Sequence, residues 1–203
     1  MYGENKQHQE INMFLAVQMR ELLYNRALST MLSFSKSKDI VMRSFLKALN
    51  PGVEAVRKKI AQGEKKSIKY IHFSYLLSEA EQKKLVIKID FYDDRYYEDI
   101  NDVDSFWRYD MLFPYIDEDV ELLYEKLRKH FVRLQDYSLL DLRMLYCTVV
   151  FHIMKSVMKN LTADQVFCDA LNGVGESEVV VMYGAYLDSS EMINMIESGG
   201  EQN

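Results

Sequence analysis

Cysteine, proline and glycine are all scarce: two, two and eight in 203 residues. Cys147 and Cys168 are too few for a disulfide scaffold or a four-cysteine zinc site. The low Gly and Pro content excludes collagen-like, linker-rich and Gly-rich low-complexity chains. Long apolar runs are missing too. The longest, Met144 to Met154, spans 11 residues and contains Thr148 and His152, against the roughly 18–20 that a membrane span needs. The opening MYGENKQHQEIN lacks the basic and apolar regions of a secretory signal. Together these features lead to the expectation of a cytoplasmic protein with no membrane segment.

Reaction signatures are equally sparse. GxSxG, GxxxxGK[ST] and GxGxxG do not occur, and Gly173-Val174-Gly175 follows a helical segment rather than opening one. The four histidines, His8, His72, His130 and His152, form no i, i+4 pair, HExxH or HxH. An acid-x-Lys nuclease pattern fails because Val86 stands two residues before Lys88, and Asp102 and Asp104 lack the Gly and Glu of a calcium loop. Cys147 and His152 are five residues apart, about 140° around a helix, so they make no local dyad. The expectation is therefore no metal, no cofactor and no catalytic residue. His152 lies among apolar neighbours and reads as a core histidine. His72, on a strand, reads as the more accessible one and would centre any spatially assembled enzyme site.

What the chain does contain is core material: 48% hydrophobic residues, with 14 Tyr, 10 Phe and 12 Met. The charge, net −6, is divided unevenly. Residues 1–70 hold 13 Lys/Arg against 6 Asp/Glu, and the remainder 12 against 25. Such asymmetry is a clue to partners, or to two portions that face each other in one fold.

Residues 10–34 carry apolar side chains at helical spacing, with Ile11, Phe14, Leu15, Met19, Leu22 and Leu23 on one face. Tyr24, Leu28, Met31 and Leu32 extend that surface around the side and offer a second contact face. A second helix is expected from Asp39 to Leu49, stopped by Asn50-Pro51-Gly52, and a short basic third from Val53 to Gln62. At residue 68 the period changes to two. Residues 70–75 and 85–92 read as an antiparallel pair joined by a polar connection, and 105–113 as a third strand with Trp107, Tyr109, Met111 and Phe113 on one face. Beyond Pro114 helices resume, with Asp117, Ser138 and Thr162 as candidate caps. Residues 178–187 suit either state, and 191–197 read as helix. The expected fold is α+β and helix-dominated: a basic helical region 1–63, a three-stranded β-meander 64–116, a helical region 117–197 and a tail 198–203, in one compact domain.

The most distinctive stretch is acidic and aromatic. Asp90 to Glu121 holds 12 carboxylates against Arg95 and Arg108, and ten aromatics lie between Phe91 and Tyr124. Rings framed by negative charge suit a basic protein surface and repel nucleic acid. The expected function is a non-enzymatic adaptor or inhibitor, pictured as a nucleic-acid mimic, that binds through Asp93, Asp94, Tyr96, Tyr97, Asp99, Asp102, Asp104 and Trp107. A second copy of the chain is a further candidate partner through its Met-rich helices. The alternative is nucleic-acid binding by the basic third, through Arg57, Lys58, Lys59, Lys65 and Lys66.

Overall fold

The computed structural model describes residues 2–99, 103–131, 139–185 and 189–197, with side chains from residue 9 onward except that of residue 97. The protein is α+β and 61% helical. Its helices are α1 (Tyr2–Lys36), α2 (Lys38–Ala61), α3 (Leu77–Glu81), α4 (Ile116–His130), α5 (Leu139–Thr162) and α6 (Gln165–Ala170). Its strands are β1 (Ile68–Tyr75), β2 (Val86–Tyr92), β3 (Val103–Arg108), β4 (Gly175–Ala185) and β5 (Ser189–Glu197). No described helix is long and apolar enough to cross a membrane.

The meander 1-2-3 is antiparallel, as its alternation requires, but the sheet has five strands rather than three, in the order β3-β2-β1-β4-β5. β4 runs parallel to β1, and β5 returns antiparallel to β4. The undecided segment is therefore strand as far as Ala185, and residues 191–197, expected to be helical, are strand as well. A register shift hid the pattern. Val181 pairs with Asn194 and Met182 with Met192, so Ile193 is an extra residue, and β5 loses its strict alternation there.

The helix boundaries also need correction. α2 does not stop at Asn50 but continues through Pro51 to Ala61. An interior proline removes one backbone hydrogen bond, yet Phe45, Leu49, Val53 and Val56 form one continuous buried stripe across it. That burial outweighs the local penalty. α4 begins at Ile116, which puts Asp117 in the first turn and not at the cap. Asp164, not Thr162, caps α6 by accepting from the Val166 N–H at 3.1 Å. The third strand ends at Arg108, before Tyr109, Met111 and Phe113. Ser138 lies outside the described residues.

The helices sit on one face of the sheet. Phe45 of α2 packs its ring on Phe73 and Trp107, and Gly52 lies against Phe91. Tyr75 stacks on Phe151 of α5 with ring centroids 4.1 Å apart, and the Tyr183 hydroxyl donates to the Phe151 carbonyl at 2.8 Å. By strand register, Phe73, Tyr75, Phe91, Trp107 and Tyr183 all point the same way. The opposite face carries none of these helix contacts.

Candidate protein-docking surface

Much of the acidic-aromatic stretch serves the interior. Trp107 is 1% exposed, and its indole N–H donates to the Ser44 hydroxyl at 3.2 Å; it offers no ring to solvent. Asp93 and Asp99 are buried as well. Arg95 binds Asp93 through Nε and Nη2, Lys65 is buried in a salt bridge with Asp99, and the Asp93 N–H donates to Asp99 at 3.1 Å. The Arg95 hydrogen bonds hold the Asp93 carboxyl below the usual carboxylate range against the opposing effect of burial. These ion pairs pin the 93–99 loop.

Asp94 is exposed but paired with Lys66 at 3.0 Å, and Asp104 is 47% exposed. Tyr96, half-buried, adopts φ 54°, a left-handed conformation uncommon for a residue with a side chain. Its ring packs 4.8 Å from Tyr70 and 5.2 Å from Tyr92. Asp102 and the Tyr97 side chain lie outside the described residues.

The basic set is divided in the same way. Lys65 is buried against Asp99, Lys66 pairs with Asp94, and Arg57 pairs with Glu54 on its own helix. Lys58 is exposed and Lys59 half-buried at the end of α2. Part of the basic third thus faces the acidic loop, which accounts for some of the charge asymmetry within the fold itself.

The histidines exchange their expected places. His152 is exposed, beside a recess of about 190 Å³ formed with Phe151, Lys155 and the β4–β5 hairpin. His72 is fully buried. It stands opposite Asp90 at the centre of the sheet, and Ser74 stands opposite Lys88. Lys88 reaches Asp90 at 2.6 Å and Asp104 at 3.5 Å, joining two carboxylates that face each other across β2 and β3. Burial first, and the Lys88 charge second, lower the His72 pKa to about 4. It is therefore a neutral imidazole at ordinary pH, set in the sheet wall. Cys147 is buried, and burial pushes its thiol up to about 11.

Among the described residues no α-helix packs on the other face of the sheet; the 93–99 loop covers its centre, with the Tyr96 ring against Tyr70, His72 and Tyr92, and leaves the two edges open. Directly opposite residues share a face, so the register defines its rows. One row runs Asp104, Asp90, His72, Met182, Met192; the next runs Tyr92, Tyr70, Val180, Met195. Phe106 stands beside Lys88, and Glu178 lies directly opposite Glu197. Phe106 is 53% exposed, Met192 60% and Met195 55%. Val180 and Met182 between the strands are half-buried. The expected site names Trp107 and not Phe106, although alternation along the third strand already sets Phe106 on the opposite face.

Like charges directly opposite on adjacent strands repel. Glu178 and Glu197 are both exposed, and among the described residues no cation pairs with either. They border the exposed methionines of β4 and β5 with negative charge. Among the described residues no group of three or more His, Cys, Asp or Glu side chains could hold a metal ion. Comparison with known protein families, curated proteins and solved structures finds no match, so the surface is read from its own geometry.

Proposed function

We propose that this protein is a non-enzymatic interaction module whose helix-free sheet face receives a basic, apolar-bearing protein segment. The observation that carries the reading is the unneutralised Glu178–Glu197 pair beside exposed Met195 and Met192. An apolar sheet face is ordinarily covered by a second layer. The open part of the face is its β4–β5 end, where Met182, Met192 and Met195 are bordered by Glu178 and Glu197, and a helix about 10 Å across lying there places one charged flank over the Glu pair. The occupant that fits is an amphipathic helix with apolar residues on one side and Lys or Arg along its borders. Of the expected site, Tyr96 covers the centre of this face and Asp104 stands beside exposed Phe106 at its far edge, while the β4 and β5 methionines replace Trp107 as apolar anchors.

Methyl-labelled methionine with NMR detection tests this directly, using an amphipathic Lys/Leu helical peptide as the probe. Titration moves the Met182, Met192 and Met195 methyl signals and leaves those of the core residues Met154 and Met158 in place. Replacing Glu178 and Glu197 together by Gln weakens binding about tenfold at low salt, and added salt shrinks the difference as screening takes over. Equal binding of a Glu/Leu peptide, or no saturation by about 1 mM peptide, overturns the proposal.

A further inference from the structure

α1 is apolar on two opposite sides. Its buried stripe is Ile11, Leu15, Met19, Leu23, Thr30 and Phe34, packed into the helical layer. At about 100° per residue, the other side carries Met13, Val17, Tyr24, Leu28 and Leu32, which are 70%, 67%, 71%, 55% and 55% exposed. Five large apolar side chains at that exposure along one helix face are not accounted for by the fold of a single chain.

The order of these residues points to the occupant. With the exposed Glu21 filling the step between Val17 and Tyr24, positions 13, 17, 21, 24, 28 and 32 are separated by four, four, three, four and four residues. The series reads the same in both directions about a point between Leu22 and Leu23. Its 4-4-3 steps sum to eleven residues, three turns at 3.67 residues per turn, so the stripe runs almost straight along about 28 Å of helix. A two-fold interface places the same patch on both copies. Reversing α1 about its own midpoint sets Met13 against Leu32, Val17 against Leu28, and Glu21 against Tyr24 of the second copy.

The charges agree with that register. Glu10 and Lys36 are both exposed, and the antiparallel alignment sets Glu10 of each copy against Ser35 of the other, one residue from its Lys36, at both ends of the stripe. A parallel alignment would set Glu10 on Glu10. Arg20 falls beside the other copy's Tyr24, within reach of a cation–π contact. A groove of about 400 Å³, lined by Met13, Phe14, Val17, His130 and Phe131 among others, lies where the second copy's Leu28 and Leu32 would arrive.

We infer that this protein forms a two-fold dimer through antiparallel pairing of the exposed α1 stripe. The stripe lies on the helical layer, on elements separate from the helix-free sheet face, so the dimer stands or falls independently of the docking proposal.

Sedimentation equilibrium on the full chain from about 1 to 200 μM gives the first result: about 48 kDa, twice the 23.9 kDa chain. Glu10→Lys alone and Lys36→Glu alone each weaken the dimer about tenfold, and the two together restore it to within about threefold. In a Cys168→Ser background, a Val17→Cys, Leu28→Cys double variant oxidises to a disulfide-linked dimer, while neither single variant does. Residues 17 and 28 of one helix are about 16 Å apart, beyond the roughly 7 Å limit for a disulfide within one chain. Circular dichroism matching the parent confirms that each variant folds. A 23.9 kDa species at 200 μM, a double charge exchange that fails to restore association, or cross-linking by either single-cysteine variant overturns the inference.

Discussion

Lowering the pH should weaken this fold between pH 6.5 and 4, with His72 as the cause. The imidazole is fully buried opposite Asp90, near Lys88 and Asp104 and beside the Tyr96 ring, and its pKa falls to about 4. In the unfolded chain a histidine titrates near 6.5. A depressed folded-state value means that the unfolded state binds the proton first. Stability is therefore complete above about pH 6.5 and falls with decreasing pH, by about 1.4 kcal/mol per unit, until the folded state also titrates near 4. Between pH 7 and 5 the loss from this group is about 2 kcal/mol, and by pH 4 about 3 kcal/mol. The Asp93 and Asp164 carboxyls, both held low by hydrogen-bonded cations, release their contributions only below about pH 4, so the histidine window is separate from theirs. Urea denaturation at pH 7, 6 and 5 measures the slope, and a His72→Gln chain loses about 2 kcal/mol less across that interval. The absolute stability of the variant is immaterial because only the difference in slope counts. Parallel stability-against-pH lines for parent and variant, with equal m-values, would refute the reasoning.

Two further perturbations probe the packing that supports the surfaces. Asp119, 2% exposed, accepts from Arg26 Nε at 2.8 Å and Nη2 at 2.7 Å and from the Tyr146 hydroxyl at 2.5 Å, tying α1 and α5 to α4. Asp119→Ala should cost about 3 kcal/mol, the lower end for breaking a buried pair because Arg26 is 32% exposed. Tyr146→Phe should cost about 1 kcal/mol in the parent and less when Asp119 is already gone; equal costs in both backgrounds would deny the coupling. At Gly52 helix propensity favours alanine by about 1 kcal/mol, yet its Cβ would run into the Phe91 ring. Gly52→Ala should therefore lower the melting temperature by several degrees, consistent with an overpacking cost of about 1–3 kcal/mol, and Phe91→Leu should recover part of the loss. A rise in melting temperature with alanine would mean that the ring yields freely.

The elements most legible in the sequence were those with one clean period. α1 and the β1–β2 pair follow directly from side chains spaced at 3.6 and 2. The β4–β5 hairpin was hidden because its alternation is interrupted at Ile193, and because a parallel partner about 110 residues away leaves no local turn signal. Pro51 misled for the opposite reason: a strong local stop was overridden by a buried stripe that only the assembled sheet makes worthwhile.

The site was less legible than the fold, and β3 shows why. Alternation there separates Trp107 from Phe106 with certainty, but it does not say which ring receives the helical layer. That choice belongs to α2, whose Phe45 packs on Trp107 and leaves Phe106 on the other side. Charge has the same difficulty: a carboxylate in sequence carries no record of the cation that folding brings to it. Lys65 removes Asp99 from the surface, Arg95 removes Asp93, and Arg26 removes Asp119. Counting acids along the chain therefore measures surface potential poorly. The carboxylates that can act on a partner are those for which folding supplies no local cation. By that criterion Glu178 and Glu197, far from the densest acidic stretch and opposite each other on the same sheet face, have the stronger claim.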